Sequence, residues 1–549
     1  MIRRPRILWL VCFGASFALA GMRVSAATPA TADPLRLGAV TFPTSGHPDA
    51  QPHFLRGVAA LHSFWYPEAL AAFQAALRID PEFAMAWWGV AMCFHRPFLA
   101  GSSDDAGRRA LAQIRDTSRL TPRERAYIEA LRTLYAEDSP GARTVAYARA
   151  MEQLSNAYPD DLEAAAFHAL SLLGYRWSTE EGSARQERAG AIARAVFDRD
   201  PLHPGAAHYI IHSFDEPLLA DRGLTAARHY ATIAPDAPHA LHMPSHIFLQ
   251  LGMWPEVVRH NETAWAASET WVQRRGLTAA NRDYHNLHWL IFGCLQEGRY
   301  AKAGELLARF REMRTDIPPG ASHYLDDAIG AYLVETRNWQ EAEAWLASLG
   351  PGAGDGAGPA AELCRDDPVD AGRLPAADVK CYLTAYVAAV NGTPGTGWAR
   401  DKLRMAANGD DVAAKFWRVR LLMVTALAAA RAKTFEPAIA SAREAATLGD
   451  ELGRSPGPPP SFKPPHELCG ELLLAARRPA EAMAHFEKSL AQNPNRPLSI
   501  LGRARAAAAV GSFPAARESY QQLLRTWQNA DASRPELAEA RSYLEQHRS

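Results

Sequence analysis

Apolar positions recur along this chain at i, i+3, i+4 and i+7, the spacing that puts them on one face of an α-helix. Segment 66–81, YPEALAAFQAALRIDP, matches segment 479–494, PAEAMAHFEKSLAQNP, with aromatic and alanine positions in step at Phe73 and Phe486. A third copy opens at Phe513, 34 residues after Pro479. Shorter echoes begin at Trp254, Tyr300, Trp339 and Phe435, and Pro159, Pro201 and Pro235 close further units. The pattern predicts helix hairpins repeated along the chain, with Pro and polar residues punctuating them. One hairpin cannot hide its apolar face alone, so neighbours must stack.

The spacing and the aromatic, alanine and proline positions resemble tetratricopeptide repeats over most of the chain. That resemblance implies an all-α, TPR-like superhelix of helix hairpins (an α-solenoid) with a concave face where ligands bind. Two stretches interrupt the array. Residues 349–372 hold a Gly/Pro-rich run, Gly350 to Pro359, expected to be a connector. The run from Pro456 to Pro465 ends one helix before the next begins. The expected organisation is 27–348, an N-terminal array, then the connector, then 373–549, a C-terminal array.

Composition narrows the function classes. Of 549 residues 48% are hydrophobic and 22% charged, which argues against disorder. Lys plus Arg is 59 and Asp plus Glu is 60, so no overall charge draws the chain to nucleic acid, which is not an expected partner. Beyond residue 26 no run of 18 apolar residues offers a membrane span. Residues 1–26 read as a secretory signal peptide: Arg3, Arg4 and Arg6, an apolar core from Ile7 to Ala20, then Val24, Ser25 and Ala26. Its removal takes four Arg, leaving 55 − 60 = −5. The expected location is periplasmic or secreted, an oxidising place. There Cys364 and Cys381 bracket a short polar loop and are candidates to pair, while Cys93, Cys294 and Cys469 fall in apolar helical patterns as buried thiols.

Histidine supplies the candidate chemistry. Ten of 19 His lie between His203 and His288, where an even spread would put about three. With the closing proline of a repeat at position 32, His208 and His212 fall at positions 5 and 9 of one repeat. His239, His242 and His246 fall at 2, 5 and 9 of the next, and His285 and His288 at 2 and 5 of the one after. His208 to His242 is 34 residues, as is His212 to His246. Positions 2, 5 and 9 share a stripe whose centre lies about 130° from the packing stripe at 4, 7, 8 and 11. The resemblance therefore implies that the stripe lines the concave face. Peptide-carboxylate-binding repeats carry Lys, Asn and Arg there, and this chain carries His instead.

Imidazoles four residues apart on a helix have Cβ atoms about 5–6 Å apart and can chelate one ion. Seven of them suffice for one or two transition-metal ions, and His suits copper, zinc or iron alike. Asp215 and Glu216, at positions 12 and 13, are candidates for ligand, orienting partner or catalytic base. His62, His95, Glu467 and Glu471 are candidates to face the same hollow from more distant repeats. The expectation is a metal-binding protein, with a hydrolytic or oxidative enzyme as one form of it and a small molecule or peptide as groove ligand. The competing reading is a non-catalytic scaffold whose His-lined groove holds a peptide or protein partner. Pro244, between His242 and His246, sits inside a helical pattern, a local violation of the kind that concentrates at functional sites. The segments 203–212, HPGAAHYIIH, and 242–246, HMPSH, also resemble a group of exported bacterial repeat proteins, a likeness that implies no particular reaction.

Overall fold

The computed structural model describes residues 35–98, 102–173, 180–348, 376–393, 397–453, 457–459 and 461–547. The signal-peptide segment, the connector 349–372 and Cys364 lie outside them. Among the described residues the chain is α-helical with short 3-10 turns and no strand, and no helix is long and apolar enough to cross a membrane. The architecture is an all-α, TPR-like helix-hairpin solenoid. The motif aromatics and prolines open the second helix of each hairpin: Tyr66–Ile79, Trp254–Arg274, Tyr300–Glu312, Trp339–Ser348, Phe435–Leu452, Pro479–Gln492 and Phe513–Thr526. First helices start on proline at Pro204–Ser213, Pro238–His242, Pro465–Ala475 and Pro497–Ala509, where the missing N–H is no loss and the fixed φ suits the first turn.

The repeat's packing logic is visible at Phe73 and Phe486. Both rings are fully buried. A Cβ added at Gly57 or Gly89 would lie 2.5 or 2.4 Å from the Phe73 ring, and one at Gly470 or Gly502 would lie 2.8 or 2.3 Å from Phe486. Each aromatic of a second helix thus fills a slot left by glycines on the first helices before and after it. Burying such a side chain stabilises by about 1.5–3 kcal/mol. Chain reversal within hairpins uses left-handed backbone two residues before the second helix, at Gly252, Gly298 and Gly511 (φ +66, +73 and +75), but also at Phe64 (φ +51).

Among the described residues, segments from the N-terminal and C-terminal parts of the chain pack onto the central repeats. Near the N-terminus, the Ala39 amide donates to the Leu202 carbonyl, Tyr230 hydroxyl to Ser63, and Trp271 Nε1 to Glu68. From the C-terminal array, Arg496 pairs with Glu335 and Glu467, while Trp254 Nε1 donates to the Asn495 carbonyl and Trp527 Nε1 to the Gln296 carbonyl. The His stripe is buried at His208, His212, His242 and His288 and half-buried at His239, His246 and His285, where an open concave face was expected. Cys93, Cys294 and Cys469 are free and buried, and burial pushes the Cys294 thiol up to about 12 and the Cys469 thiol to about 11. Cys381 is in a disulfide.

Candidate metal centre

Three successive first helices carry the stripe: Pro204–Ser213, a broken pair Pro238–His242 and Pro244–Gln250, and Tyr284–Gln296. The break falls at Met243 because Pro244 has no N–H to continue the ladder. The turn tightens there, with the His246 amide bonding the Met243 carbonyl at 3.1 Å, and Ser245 Oγ donates to the freed end at the His242 carbonyl. The helix spacing brings His208 and His212 to 4.7 Å between ring centroids, and His242 and His246 to 5.0 Å.

Six of the seven stripe histidines form two triads. His208, His212 and His239 make one, and His242, His246 and His285 the other. Within each, one ligand atom from every residue lies within 4.8 Å of the others. The triads share a rule: an i, i+4 pair on one first helix meets the position-2 histidine of the next. They adjoin, with His212 and His246 ring centroids 6.2 Å apart and His239 and His242 6.0 Å apart.

The second triad is the more telling. His242 Nε2 lies 3.1 Å from both His246 Nε2 and His285 Nε2. Asn261 gives its amide hydrogens to the Val257 carbonyl, so its Oδ1 faces His242 Nδ1 at 2.7 Å and accepts that proton. Asp215 Oδ2 accepts from His246 Nδ1 at 2.7 Å, and its Oδ1 is held by Gln250 at 2.8 Å. With both rings neutral, protons on the Nδ1 atoms leave the two Nε2 atoms as facing lone pairs at 3.1 Å, whose repulsion a cation between them would remove.

The first triad repeats the logic. His208 Nδ1 donates to the His62 carbonyl at 2.7 Å, which leaves Nε2 as the lone-pair nitrogen. The Nε2 atoms of His208, His212 and His239 are all buried without a hydrogen-bond partner. Such atoms ordinarily find one.

A third cluster, His62, Glu163 and His203, is chemically different. Glu163 Oε2 accepts from His62 Nε2 at 2.7 Å, and Tyr209 O–H donates to His62 Nδ1 at 2.9 Å. His203 caps its helix by accepting the Ala206 amide on Nδ1, so its proton sits on Nε2, facing Glu163 Oε1 at 3.3 Å. These imidazoles spend their lone pairs on protein donors and aim N–H groups at the carboxylate. The cluster is a buried network around one anion, in which Glu163 Oε1 and His203 Nε2 face each other without a full hydrogen bond. Burial, which alone would raise it, is outweighed by the two imidazoles, and Glu163 stays below the usual carboxylate range.

Burial, reinforced by neighbouring imidazoles, holds His212, His239, His242 and His285 well below the ordinary histidine value of 6.5. Burial takes His208 down to about 3 despite its bond to the His62 carbonyl, and takes His288 to about 3, with His323 adding to the effect. These rings are neutral near pH 7, the form in which imidazole ligates. Access is confined to one edge, where the His246 side chain is 12% exposed and His239 and His285 are partly exposed.

The remaining sequence candidates fall elsewhere. His288 joins neither triad and stacks near Tyr324 (6.0 Å), with both ring nitrogens buried and without a hydrogen-bond partner. Glu216 lies against Glu187 and Asp215, and partial burial with their charges raises its pKa; among the described residues it makes no hydrogen bond to an imidazole. His62 adjoins the first triad, but through its backbone carbonyl. His95 sits beside Tyr147, apart from the cluster. Glu467 and Glu471 do not join it either. Arg496 takes Glu467, and Lys463 and Arg337 take Glu471, because buried carboxylates follow the nearest cations. Glu163, Asn261 and Gln250 carry no periodic signal and escaped the sequence reading. Trp289 did not have to: it stands four residues after His285, on the same helix face.

No family model matches the chain, and no curated protein matches it. Among solved structures, similar chains include a human IFIT1 dimer with PPP-AAAA, at 13% identity over 88% of this chain and 91% of that chain, TM-score 0.38. Others are the APC/C hetero-tetramer Cut9-Hcn1, at 13% over 83% and 76%, TM-score 0.34, and Naa15/Naa10 bound to HypK-THB, at 12% over 91% and 73%, TM-score 0.24. At these scores they carry no argument about this chain, and the solenoid rests on its own helix pairs.

Proposed function

We propose that this is an exported protein that binds one or two transition-metal ions, copper, zinc or iron, through His208, His212 and His239 and through His242, His246 and His285. The observation that carries the reading is the convergence of three Nε2 atoms, His242 at 3.1 Å from both His246 and His285, while the Nδ1 atoms of His242 and His246 are bonded to Asn261 and Asp215 on the far side of each ring. A bound ion would act as Lewis acid or electron carrier toward a small molecule arriving at the His239, His246 and His285 edge. Asp215 suits the role of orienting His246 better than that of base, since each of its oxygens holds a partner. The burial of the stripe weighs against a peptide groove.

Elemental analysis of the full chain purified from the exported fraction, beside a His242→Ala, His246→Ala variant, tests this. Stoichiometric metal in the parent, reduced in a variant with unchanged circular dichroism, is expected. Equal metal content in the two proteins, or none in either, overturns the reading.

A further inference from the structure

In each triad one aromatic ring contacts all three histidines. Phe64 lies 4.3 Å from His208, 5.7 Å from His212 and 5.6 Å from His239 between ring centroids. Trp289 lies 4.9 Å from His242, 4.4 Å from His246 and 5.5 Å from His285. Both caps are buried, at 5% and 2% exposure. Phe64 takes the left-handed turn position (φ +51) that equivalent hairpins fill with Gly252, Gly298 and Gly511 or with Arg337, Lys433 and Arg477.

Three nitrogens beside an aromatic ring make a poor seat for zinc, which completes a tetrahedron with a fourth ligand such as water. They suit an ion content with three ligands and attracted to a π face, which a buried monovalent cation is. The charge count points the same way. Among the described residues the carboxylate paired with a triad imidazole is Asp215, on His246. Two monovalent ions leave +1 against its single charge. Two divalent ions would leave +3 uncompensated among buried side chains, which is costly.

We infer that the six-imidazole cluster is built for two copper(I) ions, each held by three nitrogens beside an aromatic ring, with Asp215 supplying countercharge. This rests on the metal-binding reading above and deepens it.

The test is an anaerobic titration of the full chain with copper(I) against a chromogenic copper(I) chelator, with zinc(II) titrated in parallel. A Phe64→Gly variant is included, which keeps a residue suited to the turn and removes one cap, with circular dichroism to confirm that it folds. Two copper(I) per chain are expected, with at most one zinc(II). Phe64→Gly should weaken copper(I) at one centre roughly tenfold or more, while zinc(II) binding holds or improves. Two zinc(II) bound as tightly as two copper(I), with the preference unchanged in Phe64→Gly, overturns the inference and leaves the metal-binding reading standing. A chain that takes up neither ion overturns both.

Discussion

Asp215 orients a triad histidine without joining the triad. Its Oδ2 fixes the proton of His246 on Nδ1, and Gln250 fixes Asp215 in turn. Asp215→Asn is nearly isosteric, so the fold should persist, but the amide can offer His246 either a donor or an acceptor. Affinity at the His242, His246 and His285 centre should fall roughly 10–100-fold with the other centre unchanged. Metal titration of the variant checks this, and equal affinities at both centres would remove Asp215 from the account. At this scale the sequence was half legible. The stripe histidines could be placed because His208 and His242 repeat after 34 residues. Asn261 and Glu163 could not: one reaches His242 from the following helix, and the other meets His62 across 101 residues of chain, contacts that no local period encodes.

Among the elements, the interrupted helix at Pro238–His242 and Pro244–Gln250 couples sequence most directly to site geometry. A tightened turn advances by about 120° per residue, against 100° in a regular helix. Pro244→Ala would restore the missing backbone bond and rotate His246 by tens of degrees. Thermal stability should hold or rise, because a helix-breaking residue is gone. Metal at the second centre should weaken at least about tenfold, since a 3.1 Å contact does not survive such a rotation. A variant with higher stability and undiminished metal content would show that the break serves only the superhelix. Helix starts such as Tyr66, Trp254 and Tyr300 were readable because the aromatic at the hairpin turn must pack in every repeat. The burial of the stripe was not, because repeat periodicity describes neighbours and is silent on contacts between distant repeats.

For the molecule as a whole, the burial of so many imidazoles has a thermodynamic consequence in acid. Their folded-state pKa values lie below 6.5, so above 6.5 they bind no excess proton in either state and stability is complete. As pH falls below 6.5 the unfolded chain takes up protons that the folded chain refuses, and stability is lost until the folded values are reached. Each such ring contributes about 1.4 kcal/mol per pH unit. Urea midpoints of the metal-free protein should therefore drop steeply between about pH 6.5 and pH 4.5, with metal shifting the drop to lower pH. A flat profile would mean that the rings are hydrated and not buried. The central claim, that two triads hold ions, is tested most directly by anomalous diffraction from crystals of the metal-loaded chain, recorded at the absorption edge of the metal. Two peaks are predicted, one among His208, His212 and His239 and one among His242, His246 and His285, at bonding distance of roughly 2 Å from the nitrogens. A loaded protein whose peaks lie elsewhere, or whose triads show none, would contradict it.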